Sequence, residues 1–185
     1  MSLLFQNVIA VMTDEAGSIL PNAYVAVEGE TISYVGTQRP EGRFDRVVDG
    51  AGKILMPGLV NCHTHLPMTV LRGYGGGCDL QTWLNEYIFP AEDKLDARAV
   101  RAATGLALAE MIASGITCYA DMYFFCDEMI EETLAAGLSA NIARGISVFT
   151  PEFDFDTYYS TKELKELMKR WHGYNNGQIL IDASI

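Results

Sequence analysis

Histidine is scarce in this chain, with three in 185 residues, and two of them stand one residue apart at His63 and His65. Basic residues are also few, 13 Lys and Arg against 24 Asp and Glu, a formal charge of −11. That balance argues against nucleic acid polymers and anionic membranes, which require clustered cations. The acidic excess is scattered and specifies no partner. No apolar run approaches the ~18 residues of a membrane span. The N-terminal MSLLFQNVIAVMTDE lacks the basic start of a signal peptide and meets acids early. None of the four cysteines, Cys62, Cys78, Cys118 and Cys126, forms a CxxC pair. A reduced, cytoplasmic protein is the simplest expectation. Cys62 and Cys118 lie in apolar runs, where cysteine acts as a small hydrophobe.

What is present is a change of rhythm. Residues 1–57 read as β-structure: LLFQNVIAVM, AYVAVEGETISYVG and DRVVDGAGKILM are rich in Val, Ile and Tyr and separated by glycine-containing turns. They are expected to form part of a small β-sandwich. From residue 58 to 185, short apolar strands alternate with helices. Strands are predicted at Leu59–His65, Ile116–Met122, Ala140–Ile146 and Ile179–Ile185. Helices are predicted at Asp96–Ser114, closed by Gly115, and at Asp127–Ala136, closed by Gly137. A third is predicted to open on a Ser160-Thr161-Lys162-Glu163 capping box and end before Gly173. Such alternation implies an α/β fold with a parallel sheet and right-handed crossovers.

The motif MPGLVNCHTHLP carries the chemistry. Alternate strand residues share a face, with i and i+2 Cα atoms roughly 6.6 Å apart. His63 and His65 can therefore converge on one ion, while Thr64 points away. The bland alternative is a pair of polar strand-end residues bonded to backbone. His172 lies at a helix C-terminus, where capping carbonyls is its expected role. Asp121 ends the second strand and is expected to hydrogen-bond beside the site rather than ligate.

The run ILMPGLVNCHTHLPMTVLRG resembles the first barrel strand of the amidohydrolase superfamily, in its aminohydrolase branch. The resemblance continues through DLQTWLNEYIFPAEDKL, ASGITCYADMYF and ANIARGI. It implies a (β/α)8 TIM-type barrel preceded by a small β-sandwich, and one divalent metal ion, zinc first and iron as the alternative. His63 and His65 would be two of its ligands. The others would come from histidines of the fifth and sixth strands and an aspartate of the eighth. Residues 58–185 are about half of the ~250 residues of a typical barrel. The chain is therefore expected to be the first half of the barrel, a fragment inactive alone, with its general acid and base beyond residue 185. A natural half-barrel that forms a homo-oligomer is the alternative.

The implied reaction is hydrolytic deamination of an amino-substituted purine nucleoside such as methylthioadenosine, 5′-deoxyadenosine or S-adenosylhomocysteine, with release of ammonia. Glu92, in PAED, matches the family glutamate that accepts ribose hydroxyls; an ordinary helix-terminus charge is the alternative. Arg144, in ARGI, matches a substrate-binding arginine, with an internal salt bridge as the alternative. Relatives that take S-adenosylhomocysteine carry a second arginine after the third strand. FTPEFDFDTYYST has none, which favours a neutral, less extended adenosine. Phe153, Phe155, Tyr158 and Tyr159 there are expected to pack on the neighbouring helix rather than form a lid. RGYGGGCDLQTW has a glycine triplet where relatives usually have an acidic pair, and the loop is expected to be flexible. Competing readings are a pterin, guanine, cytosine or triazine aminohydrolase, and a metal-free barrel serving as scaffold. QILIDASI lacks the lysine of binuclear relatives, which favours a mononuclear site.

Overall fold

The computed structural model describes residues 1–148 and 151–184. Phe149, Thr150 and Ile185, which fall in the predicted acidic–aromatic segment and at the last strand's end, lie outside the described residues. The chain separates into two compact units, Met1–Pro57 and Gly58–Ile185.

The first unit is one five-stranded sheet. β1 (Ser2–Val11) and β2 (Ile19–Glu28) pair antiparallel, and β3 (Thr31–Gly36) continues on β2. β4 (Arg46–Asp49) and β5 (Ile54–Leu55) add to β1 in parallel. Val8, Ala10, Ala23 and Val25 form its small core. No second sheet of a sandwich occurs among the described residues of this unit.

The second unit carries four parallel strands in sequence order: β6 (Leu59–Thr64), β7 (Ile116–Tyr123), β8 (Ser139–Gly145) and β9 (Ile179–Ser184). A 3-10 turn (Leu66–Leu71) follows β6. Residues 80–92 then form one helical stretch: α1 (Leu80–Thr82), a π segment (Trp83–Ile88) and α2 (Phe89–Glu92). Asp79 caps it by accepting from the Gln81 and Thr82 backbone N–H groups. Pro90 has no N–H to donate, and the widened π turn precedes it. The glycine-rich approach to this stretch is exposed, with Gly75 its one partly buried glycine. Gly75 has φ +69°, and a Cβ there would lie 2.8 Å from the Tyr87 ring. The Trp83 indole donates to the Tyr74 carbonyl at 3.0 Å.

Three longer helices cover the sheet. α3 (Ala97–Ala113) opens on Asp96, whose carboxylate accepts the Ala99 N–H at 2.8 Å. It buries Val100, Ala103, Ala107, Leu108 and Met111, one helical face. α4 (Cys126–Ala136) ends at Gly137 in the left-handed conformation, φ 78°. α5 (Tyr159–Trp171) and a one-turn α6 (Tyr174–Gly177) precede β9. Strand alternation places Tyr119, Ile142, Ile179 and Ile181 under these helices, all nearly inaccessible. The buried Tyr119 hydroxyl is satisfied by Thr133 at 2.6 Å, and Thr133 in turn donates to the Met129 carbonyl. No helix among the described residues is long and apolar enough to cross a membrane.

Four local expectations need correction. α5 begins at Tyr159 with no side-chain cap, because Ser160 and Thr161 are buried inside its first turn. Their hydroxyls find no partner among the described residues, and Glu163 turns to Arg144 instead. His172 stands at the C-cap of α5 with its backbone N–H on the Met168 carbonyl, but its side chain does not cap: it turns to β9, where the Ile181 N–H lies 3.1 Å from Nδ1. Of the loop aromatics, Tyr158 alone packs on the core; Phe153, Phe155 and Tyr159 remain exposed, the two phenylalanines against each other and Phe155 under Lys165 of α5, Tyr159 against Tyr158 and Arg144. Cys62 is exposed rather than packed as a small hydrophobe, because it lies on a strand whose faces are largely open.

Ile142 sits fully buried at the centre of β8. Ile142→Ala is expected to lower unfolding free energy by about 2–5 kcal/mol, read as a fall in urea midpoint at unchanged m-value.

Candidate metal and substrate site

The end of β6 departs from regular pairing. Asn61 lies opposite Tyr119 and Thr64 opposite Asp121, so three residues of β6 advance while β7 advances two. The extra residue brings the histidines to the strand end with a local twist. His63 lies on β6, and its backbone N–H is accepted by the Asn61 side chain at 3.2 Å. His65 falls just past the strand and opens the 3-10 turn. The two rings lie 5.5 Å apart between centroids, at 77° to one another.

Two contacts to β7 fix this corner. The Asp121 Oδ2 accepts the Leu66 N–H at 2.8 Å, and His65 Nδ1 lies 2.7 Å from the Met122 carbonyl oxygen. A carbonyl can only accept, so this bond assigns the proton to Nδ1 and leaves the Nε2 lone pair outward. That is the arrangement in which a histidine binds metal while its other nitrogen is anchored. Asp121 Oδ1, buried and without a hydrogen-bond partner, lies 3.8 Å from the same Nδ1. Burial pushes the Asp121 carboxyl up to about 7, against the Leu66 and Met122 N–H groups that favour its charge.

The ring spacing permits a shared ion. An imidazole centroid sits about 3.2 Å from an ion on its ring nitrogen, so a shared ion requires centroids within about 6.4 Å. The 5.5 Å spacing meets that limit. Among the described residues no group of three or more His, Cys, Asp or Glu converges on one point. The pair thus offers two donors.

Glu92 ends α2 half-buried, and the Tyr123 hydroxyl donates to its Oε1 at 2.6 Å. Burial raises the Glu92 pKa, opposed by that hydrogen bond. The Tyr123 ring lies 6.2 Å from His65, so His65, Tyr123 and Glu92 form a continuous line from the histidine corner. Arg144, on β8, donates Nε to Glu163 Oε2 and Nη1 to the Gly145 carbonyl, each at 2.7 Å. Glu92 and Arg144 both line one open cleft of about 970 Å³; His63 and His65 are not part of its lining. The predicted residues therefore form two groups, joined through Tyr123.

Sequence reasoning passed over Tyr123, Glu163 and Phe125. The alternation Tyr119, Asp121, Tyr123 was a usable signal for the first. Glu163 was masked by the capping-box pattern. Phe125 has left-handed backbone, φ 57°, and is 39% exposed at the cleft, for which no residue type gives warning.

Parallel β/α units in sequence order are those of a partial β/α barrel, and the chain belongs to the amidohydrolase family, whose model matches residues 54–183. It is 38% identical to a 5-methylthioadenosine/S-adenosylhomocysteine deaminase of Thermoanaerobacter pseudethanolicus, over 98% of this chain and 42% of that protein. It is 36% identical to a 5′-deoxyadenosine deaminase of Methanosarcina mazei, over 96% of this chain and 40% of that protein. Among solved structures, an adenosine deaminase from Xanthomonas campestris with bound zinc superposes with TM-score 0.84 at 30% identity, over 98% of this chain and 42% of that one. An atrazine chlorohydrolase from Arthrobacter aurescens TC1 superposes with TM-score 0.86 at 21% identity, over 98% and 46%, a likeness of fold alone. The chain thus spans less than half the length of these relatives and carries part of a β/α barrel.

Cys126 is buried beside Tyr123, and burial pushes its thiol up to about 12. Because its folded pKa exceeds the unfolded one, the folded state is favoured below roughly pH 8.5 and loses that advantage as pH rises towards 12. Iodoacetamide at pH 8 is expected to alkylate the exposed Cys78 and to spare Cys126 until denaturant is added. Mass spectrometry of the digested protein reads both.

Proposed function

We propose that the protein is a metal-dependent deaminase of amino-substituted purine nucleosides of the adenosine type, with His63 and His65 as two of its metal ligands. The observation that carries this reading is the anchoring of His65 Nδ1 on the Met122 carbonyl, which frees Nε2 beside His63. The names of the deaminase relatives support the substrate class. Residues 58–185 are read as the first four β/α units of the barrel, and residues 1–57 as part of the small sandwich domain.

When bound, a divalent ion, zinc by preference for nitrogen donors, supplies a water activated near neutral pH for attack on the amino-bearing ring carbon, with ammonia as leaving group. The chain's own residues bind and orient. Asp121 holds the turn after His65 through the Leu66 N–H, so the imidazole cannot swing with the loop. Glu92 presents its second oxygen to the ribose hydroxyls, since the first is occupied by Tyr123. Arg144, paired and partly buried, faces the cleft where the rest of the substrate lies. No described side chain is assigned the proton transfers. Four free thiols support a reducing, cytoplasmic setting.

In the full-length protein, His63→Ala and His65→Ala are each expected to lower zinc content to below about half of the parent's and deamination by at least about 10²-fold. Zinc is read by elemental analysis, and deamination of methylthioadenosine by ammonia release. Full activity in both variants would overturn the proposal.

A further inference from the structure

The cleft holds an arginine that is already spoken for. Arg144 is 14% exposed, and each edge of its guanidinium fork has a partner: Nε on Glu163, Nη1 on the Gly145 carbonyl. The Tyr159 ring lies 5.8 Å from its central carbon. A carboxylate bound by arginine takes two parallel N–H donors from one edge of the fork. Here the edge containing Nε ends on Glu163, and the opposite edge has lost Nη1.

We propose that Glu163 is a specificity-determining residue: by neutralising Arg144 it makes the cleft accept an uncharged substituent at the nucleoside 5′ position and reject a carboxylate-bearing one. This rests on the adenosine-type reading above. Three features of the cleft agree with it. Glu163 is 53% exposed, so an incoming carboxylate meets a like charge at the guanidinium. Six acidic side chains line the cleft against three cations, of which Arg170 is held by Asp127 at 2.7 Å. Lys162 does not reverse that sign. Finally, the walls include Phe89, Phe125 and Tyr159, whose exposed rings suit a methyl or thioether group. The left-handed backbone of Phe125 is a strained conformation of the kind kept at ligand-binding positions.

The test is calorimetric binding of methylthioadenosine and S-adenosylhomocysteine to the purified full-length protein and to its Glu163→Gln variant. The parent is expected to bind methylthioadenosine at least about tenfold more tightly, and the substitution to shrink that ratio by about tenfold, the scale of one charge-assisted hydrogen bond. A second measurement needs no variant: in the parent, the carboxyl methyl ester of S-adenosylhomocysteine should bind about tenfold more tightly than the free acid. If both nucleosides bind but the ester gains nothing, or the ratio stays fixed in a folded Glu163→Gln, the role of Glu163 is overturned while the adenosine reading stands. If neither nucleoside binds, the adenosine reading fails and the role of Glu163 with it.

Discussion

The corner after β6 is held by two hydrogen bonds to β7, and the placement of His65 depends on them. Leu66 gives its N–H to Asp121, and His65 gives its Nδ1 proton to the Met122 carbonyl. One bond fixes the backbone and the other fixes the ring and its tautomer. Without them, the irregular pairing between Asn61 and Thr64 would leave the end of β6 free to slip. The cost is a buried carboxyl with one unsatisfied oxygen, Asp121 Oδ1, set close to His65. An unpaired buried polar atom is expensive, and this one lies 3.8 Å from His65 Nδ1.

From that corner the site extends through aromatic side chains rather than charged ones. Tyr123 stacks on Phe124, lies beside His65 and donates to Glu92. A tyrosine suits this position because its body packs and its hydroxyl still reaches a polar partner. The cleft beyond is built differently, from the paired Arg144 and Glu163 and exposed rings. The first group holds the two histidines and the second lines the open cleft, and the two meet at the hydrogen bond from Tyr123 to Glu92.

Much of this was legible in the sequence. The period-two runs and the Gly-closed helices placed β6 to β9 and α3 and α4 to within a residue or two. The His-x-His spacing predicted two neighbouring rings, and their centroids lie 5.5 Å apart, although His65 falls just past the strand. What could not be read was which partner each polar side chain would choose. Ser160 to Glu163 fits a capping box by spacing, yet burial of the first turn and the nearness of Arg144 redirected Glu163. His172 was placed correctly at a helix end, but the passing strand β9 claimed its ring. Tertiary neighbours decide such competitions, and they are invisible in local pattern. The aromatic run from Phe153 to Tyr159 failed for the same reason, since nothing in its composition says whether a helix face is there to receive it.

The most direct test of the account is anomalous diffraction at the zinc edge from crystals of the zinc-loaded protein. The account predicts one peak between His63 and His65, about 2.0–2.1 Å from His65 Nε2, with Nδ1 still on the Met122 carbonyl. A peak elsewhere, or rings turned away from one another with no ion between them, would contradict it.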